Sequence, residues 1–153
     1  MDIENKLIKM GITLPEAPKP AGSYVPAVVC DRMVFVAGQL PSVNGELKYT
    51  GKVGKDLTPE EAYEGAKLCV LNALGVLKSY IGDLDRIEQV VRIGGFVNSF
   101  EGFTMQPKVI NGASDFLVEV FGEKGKHARA AVGVNELPLN AAVEVEMIVY
   151  LKA

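Results

Sequence analysis

HARAAVGVNELPLNAAVEVEMIVY, residues 127–150, decides the fold. It reads as two strands joined by a short connection that contains Pro138. Residues 128–134 are small or β-branched. Residues 142–151 alternate, with Val143, Val145, Met147, Val149 and Leu151 on one face and Glu144, Glu146, Ile148 and Tyr150 on the other. Paired antiparallel about residues 136–139, the two strands set Arg129 opposite Glu144 or a near neighbour. Directly opposed residues share a face, roughly 5 Å apart at Cβ. A guanidinium and a carboxylate then project together beside Ala131 and Gly133, whose missing bulk leaves room for a small molecule. A plain cross-strand salt bridge, worth under about 1 kcal/mol when exposed, fits the same spacing.

Working outward, residues 107–121 carry Ile110, Ala113, Leu117, Val120 and Phe121 at helical steps and stop at Gly122. Asn111 lies on this helix. Residues 87–97, IEQVVRIGGFV, read as a strand whose Gly94–Gly95 pair predicts a bulge. The strongest helix start is Thr58 as N-cap, Pro59 at N1 and Glu61 at N3, a capping box. That helix runs to about Tyr80 and ends at Gly82, with Ala62, Ala66, Cys69, Ala73, Leu77 and Tyr80 inward. Cys69 is therefore a core residue rather than a nucleophile. Residues 25–29 and 33–40 form a hairpin around Cys30, Asp31 and Arg32. Gly38 interrupts its second strand, which marks a bulge or a backbone that a ligand approaches. Residues 41–57 form a polar excursion, a loop or small hairpin. Residues 14–22, with three prolines, form an extended loop that delivers Tyr24 to the sheet, as a ligand wall or a rim aromatic. Residues 2–10 form a short helix with Ile3, Leu7 and Met10 on one side.

The order is strands, helix, strand, helix, strands. It predicts an α+β fold, one mixed sheet with two long helices on one face. No third helical layer is left to cover the other face, so a homo-oligomer is expected. The 153 residues suit a single domain, 1–153, with residues 1–19 as an N-terminal extension. A net charge of −3 without basic clusters argues against a nucleic-acid surface. Two cysteines without a CxxC and one histidine leave no disulfide framework and too few soft ligands for zinc. No apolar run reaches membrane-spanning length, and MDIENKLIKM lacks a secretory apolar core, so a cytoplasmic protein is expected.

Three stretches now meet a known family: PAGSYVPAV (20–28), MVFVAGQLP (33–41) and ARAAVGVNELPLNAAVEVE (128–146). The last, R-x-x-V-x-V-x-x-L-P with a Glu fifteen residues after the Arg, is the specific one. The chain resembles the RidA family, also called YjgF or reactive-intermediate deaminases and, in older usage, endoribonuclease L-PSP. The resemblance implies a chorismate-mutase-like α+β fold, a homotrimer, and sites in the clefts between subunits. It implies hydrolysis of 2-imino or enamine acids (2-iminobutanoate, 2-iminopropanoate) to 2-keto acids and ammonia, with no metal or organic cofactor. By the same resemblance, Arg129 clamps the substrate carboxylate and Glu144 holds or polarises the attacking water. Tyr24 lines the cleft, Gly38 brings its backbone to the substrate, and Asn111 lies near the cleft. Two positions depart from the family pattern: Ala37 stands where many members carry Ser, and Ala131, a shape-giving substrate contact, where many carry Cys. Two rival readings are a ribonuclease, against which stand one His and no basic groove, and a non-catalytic binder of small carboxylates. His127 fits either a base on the strand of Arg129 or a rim residue.

Overall fold

In the computed structural model, which describes residues 2–19 and 22–153, the 143–151 segment forms a strand whose odd residues are buried and whose even residues are only partly covered. Pro20 and Ala21 of the expected loop lie outside the described residues. The elements run α1 (Ile3–Lys9), β1 (Ala27–Cys30), β2 (Met33–Gln39), β3 (Ser42–Val43), β4 (Glu46–Leu47), α2 (Pro59–Ile81), β5 (Ile87–Asn98), α3 (Gln106–Phe121), β6 (Ala128–Val134) and β7 (Val143–Leu151). Five strands make one mixed sheet in the order β1-β2-β7-β5-β6, and β3-β4 form a small separate hairpin. Both long helices lie on one face, as the element order predicts.

Local chemistry accounts for the helices. Thr58 Oγ1 accepts from Glu61 N at 3.1 Å, and the Glu61 carboxylate accepts from Thr58 N at 3.0 Å. Gly82, at φ 82°, closes α2 in a conformation that disfavours a Cβ. Along α2, Ala62, Ala66, Cys69, Ala73 and Leu77 are fully buried, whereas Tyr80 lies outside the core at 41% exposure. The inward stripe continues from Leu77 to Ile81, one residue past the position its spacing predicts. Each fully buried Val, Leu or Phe contributes about 1.5–3 kcal/mol relative to exposure. The core is built from such residues on β7, β5, α2 and α3, with Leu7 of α1 added at one end.

Two expectations are corrected. The 127–150 stretch is not a hairpin. β5 lies between its two strands, pairing antiparallel with β7 and parallel with β6. The parallel pair follows from β5-α3-β6, a strand–helix–strand crossover. The Pro138 connection instead crosses the end of β5. Asn98 there holds it, its amide lying 3.1 Å from the carbonyls of Gly51 and Ala141 and from Asn140 Oδ1. Leu139 and Asn140 take φ of 56° and 59° to make this crossing.

The second correction concerns Gly94–Gly95, which pair in regular register with Glu146 and Val145, while the irregularities of β5 lie earlier, between Ile87 and Arg92. A Cβ on Gly95 would lie 2.5 Å from Ile110 Cδ1, so this glycine admits α3 close to the sheet. The bulge expected at Gly38 is present, between Val36 and Gln39.

The face away from the helices is largely apolar and uncovered. Val28, Phe35 and Val132 on it are 53%, 44% and 44% exposed, and Phe96 and Ile148 are half-buried between them. Arg92–Glu146, at 3.6 Å, is an ion pair on the same face.

Candidate active site

Alternation along β6 turns Arg129, Ala131 and Gly133 toward the helices and Ala128, Ala130 and Val132 toward the open face. The Arg129 guanidinium reaches α3. Nη1 donates to Ser114 Oγ at 3.1 Å, and Nη2 to the Pro107 carbonyl at 3.3 Å. Pro107, Asn111 and Ser114 are spaced i, i+4, i+7, one stripe of α3, so Asn111 belongs beside Arg129. Among the described residues no carboxylate pairs with this arginine. Its two protein partners are neutral oxygens, and its charge is left for something else. Ser114 also contacts His127 Nε2 at 2.9 Å, and His127 Nδ1 lies 2.6 Å from the Gly125 carbonyl.

A second cluster forms around the bulge of β2. Tyr24, Lys19, Pro26, Gly38, Gln39 and Leu40 line a cavity of about 200 Å³. Glu144 lies against Gly38, where a Cβ would fall 2.9 Å from its carboxyl carbon. The glycine is needed because the carboxylate occupies the space a side chain would take. Burial pushes the Glu144 carboxyl above the usual range, and Glu146, two residues on along the same face, pushes it further. Such a carboxyl can exchange a proton nearer neutrality than an ordinary glutamate.

Arg129 and Glu144 are therefore not neighbours. In register, Arg129 meets Ile93, which meets Met147, three residues past Glu144. Two strand spacings and three residues separate their backbones by about 14 Å. Their side chains also leave opposite faces of the sheet. The expected opposition rested on a hairpin, and the insertion of β5 removes it. The structure groups Tyr24, Gly38 and Glu144 on one side and Arg129, Asn111 and Ala131 on the other. Sequence reasoning missed the link from Ser114 to Arg129, although the 107/111/114 stripe was readable in α3. Among the described residues no cluster of His, Cys, Asp or Glu could hold a metal ion, and no helix is long and apolar enough to cross a membrane.

Residues 4–153 match the family model described as "YjgF/chorismate_mutase-like, putative endoribonuclease". The chain belongs to the RidA/YjgF family. The RidA/YjgF match spans both clusters. Protein TCP17 of Trypanosoma cruzi is 45% identical over 146 residues, covering 95% of this chain and 91% of its own. The crystal structure of the protein Atu1372 from Agrobacterium tumefaciens, of unknown function, superposes with a TM-score of 0.92 at 43% identity, over 98% of this chain and 92% of that one. A 2-iminobutanoate/2-iminopropanoate deaminase of Dermatophagoides farinae is 30% identical over 142 residues, covering 92% of this chain and 95% of its own. The RidA/YjgF fold is thus common to proteins named for an imine deaminase and to others whose names give no activity.

Proposed function

We propose that this RidA/YjgF chain is a deaminase of small 2-imino acids, working as a homotrimer in which Arg129 of one copy and Glu144 of the next face one cleft. The observation that carries the reading is Arg129, held by a hydroxyl and a carbonyl with no acid against it among the described residues. A planar guanidinium with N–H groups to spare suits a carboxylate in a two-bonded pair, which a lysine does not reproduce. The uncovered apolar sheet face supports burial against further copies. A second copy would bring a planar guanidinium to the side of β2 where Glu144 lies against Gly38 and where Lys19 and Tyr24 line the neighbouring cavity.

In this reading the substrate carboxylate binds Arg129, which aligns the protonated imine carbon against Gly38 and Tyr24. Ionised Glu144 takes a proton from water as the oxygen bonds to that carbon. The C=N π pair moves to nitrogen, giving a carbinolamine. Glu144 then returns the proton to nitrogen. As the C–N bond breaks, an oxygen lone pair forms the C=O bond and the hydroxyl proton passes through Glu144 to the departing ammonia. The 2-keto acid and ammonium leave, and Glu144 is again ionised. Asn111 and Ala131 shape the cleft around the carboxylate.

The test is a coupled assay. A threonine dehydratase generates 2-iminobutanoate, and keto-acid release or semicarbazide trapping is followed with and without the protein. Glu144 serves as a base only when ionised, and its carboxyl is raised. Turnover therefore falls as pH drops through a point above the ordinary carboxylate range. Glu144→Gln, lacking the base, is slow at every pH and shows no such limb; a wild-type limb left intact in Glu144→Gln contradicts the assignment.

Ala37 and Ala131, which remove two polar side chains common in the family, favour a second reading as a non-catalytic binder of small carboxylates. In that case 2-oxobutanoate raises the melting temperature in an Arg129-dependent way, with no turnover.

A further inference from the structure

Arg129 is one end of a hydrogen-bond chain whose direction can be read. A carbonyl only accepts, so at 2.6 Å from the Gly125 carbonyl the His127 Nδ1 carries the hydrogen. In the neutral ring Nε2 is then an acceptor, and the Ser114 hydroxyl donates to it at 2.9 Å. The Ser114 oxygen in turn accepts from Arg129 Nη1 at 3.1 Å. Helical serines commonly turn back to the carbonyl four residues earlier. Ser114, in the interior of α3, instead takes both partners from outside its own helix.

The far end of the chain is fixed by packing. Gly125 is buried, and a Cβ there would lie 2.7 Å from the Leu117 carbonyl carbon, so its backbone is wedged against α3. The acceptor for His127 cannot drift without moving the helix.

We propose that Ser114 and His127 are positioning residues, which hold the Arg129 guanidinium in the orientation that receives a carboxylate. This rests on the reading of Arg129 as the carboxylate clamp. Neither support is a carboxylate, so they orient the guanidinium without neutralising its charge, whereas an aspartate in the same place would neutralise it. Two of the five N–H groups of Arg129 are used by the protein, leaving three for a ligand. The order they impose is set at folding rather than at binding. Loss of either support frees a long side chain, whose immobilisation on binding then weakens affinity up to about tenfold.

The experiment measures KM and kcat for 2-iminobutanoate, and calorimetric affinity for 2-oxobutanoate, in wild type and five variants. Ser114→Ala and His127→Phe are expected to raise KM and Kd about tenfold with kcat changed less than about threefold, the pattern of lost binding rather than lost chemistry. Ser114→Thr, which keeps the hydroxyl, and His127→Gln, which keeps a polar group for it, recover most of the loss. Should Ser114→Ala fold poorly, the His127 pair carries the same comparison. If both removals bind 2-oxobutanoate as wild type does while Arg129→Ala fails to, the clamp stands and the positioning chain is overturned. If Arg129→Ala also binds normally, or wild type binds nothing, the clamp falls and the chain with it. Covalent capture of Ser114 by a fluorophosphonate likewise overturns the proposal, because it makes Ser114–His127 a nucleophile and base.

Discussion

Arg129→Ala is expected to lower kcat/KM for 2-iminobutanoate about a thousandfold, equivalent to about 4 kcal/mol of lost transition-state stabilisation. The size follows from what the side chain does and does not do in the fold. It makes one bond to Ser114 and one to Pro107, and pairs with no carboxylate among the described residues. Truncation therefore strips the cleft of its cation while leaving Ser114 bonded to His127. The Pro107 carbonyl, in the first turn of α3, loses only a surface-exposed bond. Thermal stability changes little, so lost activity is separable from lost fold. Arg129→Lys keeps the charge but not the planar fork, and recovers only part of the rate. Parallel melting and turnover curves on the three proteins check this; an Arg129→Ala enzyme within tenfold of wild type removes the clamp from the mechanism.

Gly112→Ala is expected to destabilise the fold by about 3 kcal/mol. Gly112 sits where α3 crosses α2, and a Cβ there collides with the Tyr63 carbonyl, 2.7 Å from its carbon. Both obstacles are backbone, so neither can rotate away. The crossing is also tied nearby, where Tyr63 donates to Asp115 at 2.8 Å. That bond pushes the Tyr63 hydroxyl up to about 12. Gly65→Ala on α2 is the control. Its Cβ would meet the Val143 side chain at 3.1 Å and Tyr49 Cβ at 3.3 Å, which can shift by tenths of an ångström. Alanine gains about 1 kcal/mol of helix propensity at either position. Gly65→Ala should thus be near neutral and Gly112→Ala strongly destabilised, with the urea midpoints reporting both; equal midpoints contradict the backbone contact.

The elements were legible because their signals are local. Thr58, Pro59 and Glu61 write the start of α2 in four residues, and the period of two in 143–151 writes β7. The interior Gly38 announced its bulge. Partner choice was not legible in the same way. Residues 128–134 and 143–151 look like a hairpin because they are adjacent in sequence, yet the strand that lies between them, Ile87–Asn98, comes from far upstream. Only its length and two-sided apolar character hinted that it was central. The candidate site inherited that error. Glu144 lies against Gly38, and Arg129 reaches Ser114 and Pro107 on the helix that carries Asn111, but the residues expected in one cleft form two separate clusters because a strand intervenes. Ser114 escaped notice since a lone helical serine carries no distinguishing pattern until its partner on another element is known.

The central claim is that one cleft takes Arg129 from one copy and Glu144 from another. Mixing Arg129→Ala and Glu144→Ala proteins tests it directly, after denaturing and refolding them together at equal amounts. Each is inactive alone. If the cleft is shared between copies, random reassembly restores about a quarter of the wild-type sites, since an intact site needs one unmutated residue from each side. Imine turnover near that level is the predicted result. A mixture as inactive as its components contradicts the account.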